Sequence, residues 1–129
     1  MHARGPSPSA ADAVHSFVAA LARFDLDALV ASFDENATVF MPLPSMPDRL
    51  EGREAIRAAF ASMFDQARAS GTTSITLNVQ KLRVDELGDV AVATFDVGAG
   101  AAISRRTVVL RRVVGGWRVV HLHASNVRR

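Results

Sequence analysis

The sequence predicts an α+β domain in which a curved antiparallel sheet wraps around three N-terminal helices. From Ala10 to Ala69, apolar residues recur at the spacing of amphipathic helices, interrupted by one short β-prone run. From Thr72 onward they alternate with polar residues at the two-residue period of strands. Near the C-terminus, Gly115 and Gly116 separate two aliphatic runs, a pattern typical of a tight hairpin turn. The predicted element order is α-α-β-α-β-β-β-β.

Capping residues set the limits of the predicted helices. Ser9, with an acidic residue three positions later, favours a helix over residues 10–23. Asp25 caps a second, shorter helix that ends at the polar cluster of residues 34–36. A third amphipathic helix spans residues 53–69, and a glycine follows its last turn.

The strands are predicted from alternation and from the residues that interrupt it. A short strand over residues 37–41 is stopped by prolines, which cannot continue a hydrogen-bonded ladder. A slip in the apolar alternation predicts a β-bulge near Gln80 and Lys81. A strand over residues 90–97 and a hairpin over residues 103–125 complete the sheet.

Length and composition favour one globular domain. We expect residues 1–8 to form a flexible arm and residues 9–129 to form a single domain. The chain has no cysteine, which excludes disulfides and thiolate sites, and no apolar run near the roughly 20 residues of a membrane span. The sequence therefore predicts a cytoplasmic protein with no membrane contact.

Charge is distributed unevenly along the chain. The formal net charge is only +2, but residues 103–129 carry seven basic side chains and all thirteen acidic residues precede them. This basic hairpin lacks the interleaved aromatic residues on which bases stack, so we expect no nucleic-acid partner.

Pairing the hairpin strands around a turn at Gly115 and Gly116 assigns its side chains to two faces. In this register Val109 lies opposite Leu122, and each face is apolar at its centre. The helices of a chain this short can cover only one face, so the sequence predicts a homodimer through the other. The residues expected at the dimer interface are Trp117, Val119, His121 and His123. The strand residues expected to line a cavity are Val92, Thr94, Thr107, Val109, Leu122 and Ala124.

Three segments carry a family resemblance. These are SFDENATVFMP at residues 32–42, EGREAIRAAF at 51–60 and GGWRVVHLHAS at 115–125. Together they resemble the SnoaL-like domains of the nuclear transport factor 2-like superfamily, including ketosteroid isomerase relatives. The last segment is similar to the association domain of calcium/calmodulin-dependent kinase II. The resemblance implies a cystatin-like, cone-shaped fold that encloses an apolar pocket, to which Phe17, Met41 and Phe60 would add lining.

The resemblance also implies where isomerase chemistry would lie. The general-base aspartate of the ketosteroid isomerases corresponds to Met41, the oxyanion tyrosine to Phe17 and the protonated aspartate to Thr107. That reaction needs a base and a hydrogen-bond donor beside the developing enolate, which Met and Phe cannot supply. The sequence therefore argues against steroid isomerisation by that mechanism.

Asp96 and Arg105 are the main candidates for other chemistry, because the predicted register places both on the cavity face. Asp96 would act as a general base and Arg105 would bind an anionic oxygen. The alternative is a structural ion pair at the mouth of the cone. His15, at the edge of the apolar stripe of the first helix, is a weaker acid–base candidate.

His121 and His123 have the spacing of a strand metal chelate, but no third ligand is predicted on their face. We therefore expect no metal site and no cofactor. Two functions remain. The first is binding of a small, mostly apolar ligand in the cone, as a cofactor-independent isomerase, dehydratase or cyclase. The alternative is a non-catalytic dimerisation or ligand-sensing module, so the sequence leaves open whether the protein is an enzyme.

Overall fold

The computed structural model describes residues 8–42, 48–99 and 102–127. Residues 1–7 of the predicted arm therefore lie outside the described residues. The elements in chain order are α1 Ala10–Ala22, α2 Leu26–Ala31, β1 Phe33–Phe40, β2 Leu50–Glu51, α3 Arg53–Ala69, β3 Asn78–Leu87, β4 Val90–Ala99, β5 Ala102–Val113 and β6 Gly116–Val127.

Six strands form one mixed sheet in the order β2-β1-β6-β5-β4-β3. All neighbours are antiparallel except β1 and β6, which are parallel. The predicted α+β class with three helices and a curved sheet is confirmed. The prediction missed β2, because two residues are too few to show a periodicity, and it missed the parallel pair, because strand direction depends on distant chain segments.

The predicted helix ends agree closely with the structure. The Ser9 hydroxyl accepts a hydrogen bond from the Asp12 backbone N–H, and the Asp12 carboxylate accepts one from the Ser9 N–H, both at 3.0 Å. Asp25 caps α2 through the N–H of Ala28 at 3.1 Å. Residues 34–36 belong to β1, however, because Phe33 is fully buried in the sheet beside Val119. Tertiary burial here outweighs the local turn preference of the polar cluster.

Phenylalanine rings fill the space between the helices and the sheet. Phe17 of α1 meets Phe33 of β1 edge to face at 5.5 Å between ring centroids, and Phe24 stacks on Phe64 at 4.7 Å. Both geometries are favourable for aromatic pairs. The sheet side that packs on this core is called the inner face. Its residues on β4, β5 and β6 are Ala91, Ala93, Phe95, Val97, Arg106, Val108, Leu110, Trp117, Val119, Leu122 and Ala124.

The opposite side of the sheet, called the outer face, carries residues that alternate with these. They include Asp34, Thr38, Phe40, Val92, Thr94, Asp96, Arg105, Thr107, Val109, Arg111, His121, His123 and Ser125. The Arg111 guanidinium donates to the Asp34 carboxylate at 2.6 Å, which joins β5 to β1 across β6. This hydrogen bond holds the pKa of Asp34 below its ordinary value.

The predicted hairpin register is wrong, for two reasons. The turn lies at Val114 and Gly115 rather than at the two glycines, and Gly115 adopts the required positive φ of 86°. Farther along, Leu110 pairs with Val119 but Val109 pairs with His121, so Val120 forms a bulge. A bulge reverses the side on which all later residues of the strand point.

The face assignment changes accordingly. The strand residues on the same side as Val108 and Leu110 face the helices, whereas the prediction had turned that side outward. Leu122 and Ala124 lie on the inner face as predicted. The prediction chose the wrong inward side and missed the bulge, and for residues after Val120 these two errors compensate each other.

Trp117 precedes the bulge and lies on the inner face because it pairs with Arg112, on the same side of β5 as Val108 and Leu110. Its side chain is 7% exposed, and the Arg112 guanidinium lies 4.4 Å from its ring centroid. Trp117 is thus a core residue with a cation–π partner.

We expect Trp117→Ala to lower the free energy of unfolding by about 3–5 kcal/mol, as large-to-small changes of buried aromatic residues do. Urea unfolding followed by circular dichroism measures this. Val114→Ala, at a fully exposed turn position, is the control and should change stability by less than about 0.5 kcal/mol. Equal stability of the two variants would contradict the inner-face position of Trp117.

Candidate functional site

One charged side chain interrupts the inner face. Arg106 is 9% exposed, and the ladder places it between Phe95 of β4 and Ala124 of β6. Ser104 and Val108 precede and follow it on the same side of β5. Met41 follows Phe40, the last paired residue of β1, which lies opposite His123, and Met41 packs against the core. Arg106 therefore lies in a largely apolar setting.

The Arg106 guanidinium is poorly satisfied within the chain. Its Nε donates to the Ser104 hydroxyl at 3.5 Å, the outer limit of a hydrogen bond. Its Nη1 is buried and has no hydrogen-bond partner among the described residues. Burial lowers the pKa of Arg106, because desolvation disfavours the charged form.

No acidic side chain supplies a counter-charge. All thirteen Asp and Glu residues lie in the described ranges, and none of the ion pairs formed there includes Arg106. An unpaired ion in a protein interior costs several kcal/mol, so Arg106 reduces stability as the chain stands. A guanidinium with free, forked N–H donors in such a position is suited to binding an anionic oxygen.

The residues predicted to line the cavity divide between the two faces. Phe17 and Phe60 are fully buried in the core, and Met41, Leu122 and Ala124 lie on the inner side of the sheet near Arg106. The other four lie on the outer face, contrary to the prediction, because the helices cover the opposite side of β4 and β5 from the one predicted. They are Val92, Thr94, Thr107 and Val109.

Asp96 and Arg105 also lie on the outer face, so their predicted place in the cone is wrong. They are directly paired residues of β4 and β5, not diagonal neighbours, and no ion pair joins them. Both line an open cleft of about 390 Å³, whose other lining residues are Lys81, Thr94, Phe95, Arg106, Thr107, His123 and Ser125. Since this cleft is open to solvent, it lacks the water-excluded setting that makes a base and an oxyanion partner effective.

The three histidines in the described ranges, His15, His121 and His123, lie away from the inner face as well. His15 is exposed on α1, beside a groove formed with Val18 and Leu77. His121 shares a 2.7 Å hydrogen bond with the Thr38 hydroxyl through Nδ1, and His123 packs against Phe40 at 5.5 Å between ring centroids. Within residues 8–42, 48–99 and 102–127, no three His, Asp or Glu side chains cluster closely enough to hold a metal ion.

The four residues predicted at a dimer interface are separated by the bulge. Trp117 and Val119 are buried against the helices, while His121 and His123 remain on the outer face. A contact between two sheets would therefore involve only the histidines of this set. As to membranes, none of the described helices has the length and apolar character needed to cross one.

Comparison with known proteins identifies the family. The family model for the SnoaL-like domain matches residues 10–128. The chain belongs to the SnoaL-like domain family. This confirms the family resemblance predicted from the sequence. No curated protein is significantly similar to the chain.

Solved structures agree with this assignment. A protein of Thiobacillus denitrificans named as a calcium/calmodulin-dependent protein kinase type II association domain is 26% identical, with a TM-score of 0.78 over 97% of this chain and 100% of the other. The CaMKII hub of S. rosetta is 23% identical, with a TM-score of 0.73 over 98% and 100%. A protein of Parabacteroides distasonis named as a ketosteroid isomerase is 24% identical, with a TM-score of 0.71 over 88% and 84%. The latter two likenesses establish the fold alone.

Sequence reasoning missed Arg106 as a site residue of this SnoaL-like domain. The sequence does carry one signal. Arg106 lies on the same side of its strand as Val108 and Leu110, which are both apolar. A charged residue in line with buried positions is the feature to follow, provided that the inward face is assigned correctly.

We expect Arg106→Met to raise the free energy of unfolding by about 1–3 kcal/mol, because it removes a buried, unsatisfied charge while keeping an unbranched side chain. Thermal and urea unfolding measure this. Arg105→Met, the matched change on the exposed outer face, should stay within about 0.5 kcal/mol of the natural protein. Destabilisation by Arg106→Met would indicate that the guanidinium has a stabilising partner.

Proposed function

We propose that this SnoaL-like domain binds a small, mostly apolar molecule against the inner face, next to Arg106. The observation that carries the proposal is a buried cationic side chain without a counter-charge in an otherwise apolar surface. Such a residue costs stability in the free protein, and a ligand that contacts it offsets the cost.

Partly exposed apolar residues on the inner side of the sheet support this location. Met41, on the β1 side, and Val79, on the β3 side, are both only partly buried. Val79 pairs with Val97, which faces the core. The chain therefore leaves apolar area partly uncovered two strands from β5 on each side, at Met41 after β1 and at Val79 on β3, in the groove beside α1. An apolar ligand gains about 25 cal/mol per Å² of such area removed from water.

The composition of the inner face favours binding over catalysis. Among its described residues on β4, β5 and β6, Arg106 is the one buried ionisable side chain, whereas Arg112, at the exposed end of this side, pairs with Glu86 and Asp89. An isomerase, dehydratase or cyclase needs a group that accepts or donates a proton near pH 7, and a guanidinium keeps its proton in proteins. The acid–base candidates Asp96, His121 and His123 are on the other side of the sheet. Ligand binding without a chemical step is the function that this arrangement supports best.

Neutral apolar probes test the proposal. We expect indole and cyclohexanol to shift the NMR signals of the methyl groups of Met41, Leu122 and Ala124 in the natural protein. Ala124→Leu should abolish the shifts of Met41 and Leu122, because the added carbons occupy the proposed ligand position. The matched control Ser125→Leu places the same side chain on the outer face and should leave binding unchanged. Absence of any inner-face shift, in a protein whose circular dichroism is native, would refute the proposal.

A second function, self-association through the outer face, is supported by a different observation. Val92 and Val109 are paired at the centre of this face and are both partly exposed. Two of the similar structures carry the names association domain and hub. This surface and the inner face are on opposite sides of one sheet, so the same molecule can use both.

We expect the natural protein to scatter light as a dimer, and Val109→Glu to shift it to a monomer. A carboxylate at the centre of a two-fold contact meets its own copy and must be desolvated, which disfavours association. Val114→Glu, the same change at the exposed turn, is the control. A monomer for the natural protein at high concentration would exclude this function.

A further inference from the structure

We propose that the outer-face cleft around Arg105 binds a phosphate monoester of a small, hydroxyl-bearing molecule, the chemistry of a sugar phosphate. This inference goes beyond the proposed function, because it concerns a polar ligand on the other side of the sheet. The cleft volume of about 390 Å³ lies within the range of roughly 300–1,000 Å³ that is usual for small-molecule sites.

Six polar side chains of the cleft form two adjacent rows across β4, β5 and β6. From β4 to β6 the first row is Asp96, Arg105 and Ser125, and the second row is Thr94, Thr107 and His123. Neighbouring strands are about 4.8 Å apart, and alternate residues of one strand are about 7 Å apart. The two rows therefore frame an area of roughly 10 by 7 Å, which suits a phosphate and the polar group that carries it.

The half of the cleft on β5 and β6 holds hydrogen-bond donors from four residues and no carboxylate. Arg105 is paired with Ser125, and Thr107 is paired with His123, so the four side chains surround one point from four directions. A guanidinium, two hydroxyls and an imidazole N–H can together donate to several oxygens. The three terminal oxygens of a phosphate monoester match this arrangement better than the two oxygens of a carboxylate.

Lys81 brings a second exposed cation to the cleft from β3. In the bulge of this strand, Lys81 and Leu82 both lie opposite Phe95. Lys81 adopts a left-handed φ of 56°, which is uncommon for a residue with a side chain. Regular alternation after Gln80 would turn residue 81 to the inner face, but the bulge redirects it, and Lys81 lines the cleft.

The charges that line the cleft balance a phosphate. Lys81, Arg105 and Arg106 are its cations and Asp96 is its one carboxylate among the described residues, which gives a net charge of +2. None of these four side chains takes part in the ion pairs formed within the described ranges. A phosphate monoester carries a charge of about −1.5 to −2 at neutral pH and so matches this excess.

Asp96 specifies the other end of the ligand. It is half-buried on β4, beside the donors of β5, and a carboxylate there repels a phosphate but accepts hydrogen bonds from hydroxyl groups. We therefore place the phosphate over β5 and β6 and the hydroxyl groups of the ligand over β4, next to Asp96.

Four probes test this inference on the full chain at low ionic strength, where exposed charges are least screened. Glucose 6-phosphate, glucose 6-sulfate, glucose and inorganic phosphate are titrated while the backbone NMR signals of residues 80–83, 94–96, 105–107 and 123–125 are followed. We expect glucose 6-phosphate to bind about tenfold more tightly than glucose, the effect of one charge-assisted contact, and more tightly than the singly charged sulfate or inorganic phosphate. Absence of shifts at these residues, or equal binding of glucose and glucose 6-phosphate, overturns the inference.

Three variants assign the two ends of the ligand. Arg105→Gln should weaken glucose 6-phosphate and inorganic phosphate by a similar factor of about ten. Asp96→Asn should leave inorganic phosphate bound at least as tightly and reduce the advantage that glucose 6-phosphate has over it. Arg118→Gln removes an exposed arginine of the same face that does not line the cleft, and it should change neither affinity by more than about twofold.

Two results with these variants contradict the inference. The first is phosphate binding that survives in Arg105→Gln, or that falls equally in Arg118→Gln, since the cleft would then not be the site. The second is an unchanged advantage of glucose 6-phosphate in Asp96→Asn, since Asp96 would then not contact the hydroxyl groups. Neither result bears on the proposed function, which concerns apolar ligands on the inner face.

Discussion

The pairing of β5 with β6 changes register at one position, where Leu110 faces Val119, Val109 faces His121 and Val120 has no partner. This bulge lets both halves of β6 bury apolar side chains on the same side: Trp117 and Val119 before it, Leu122 and Ala124 after it. Without it, the two-residue period of a strand would turn Leu122 and Ala124 outward and bring His121 and His123 into the core. The apolar character of β6 on the inner face and the outward position of His121 and His123 both depend on this one extra residue.

Arg106 is the exception on a face that is otherwise built for stability. The phenylalanine pairs and the buried aliphatic residues of the sheet lower the free energy of the fold, while an unpaired guanidinium among them raises it. Natural proteins stay folded with a margin of only about 5–15 kcal/mol. The several kcal/mol that an unpaired buried charge costs is therefore a significant part of that margin. A ligand that contacts Arg106 would offset this cost, which is the physical basis of the proposed function.

The single sheet layer keeps the two proposed activities apart. The helices and the proposed ligand share the inner face, while the outer face carries paired valines, the Thr38–His121 hydrogen bond and the cleft with Asp96 and Arg105. Because successive side chains of a strand point to opposite sides, neighbouring residues such as Arg105 and Arg106 belong to different surfaces. This geometry is why each outer-face residue provides a close control for its inner-face neighbour.

The sequence by itself determined the features that arise within a few consecutive residues. The Ser9 and Asp25 caps, the limits of α3 and the bulge near Gln80 and Lys81 were predictable, since capping hydrogen bonds and apolar period are local properties. The family resemblance was predictable for the same reason, because it resides in short continuous segments.

Only the tertiary structure decided the parallel pairing of β1 with β6, the inward side of the sheet and the burial of Arg106. The slip at Val120 is invisible in the sequence, because a valine is compatible with either face and hides the break in alternation. Which face is buried depends on what packs against it, and this is a property of segments far apart in the chain. For that reason Asp96 and Arg105 were expected in the cone, while Arg106, the one charged side chain buried among the described residues, was missed.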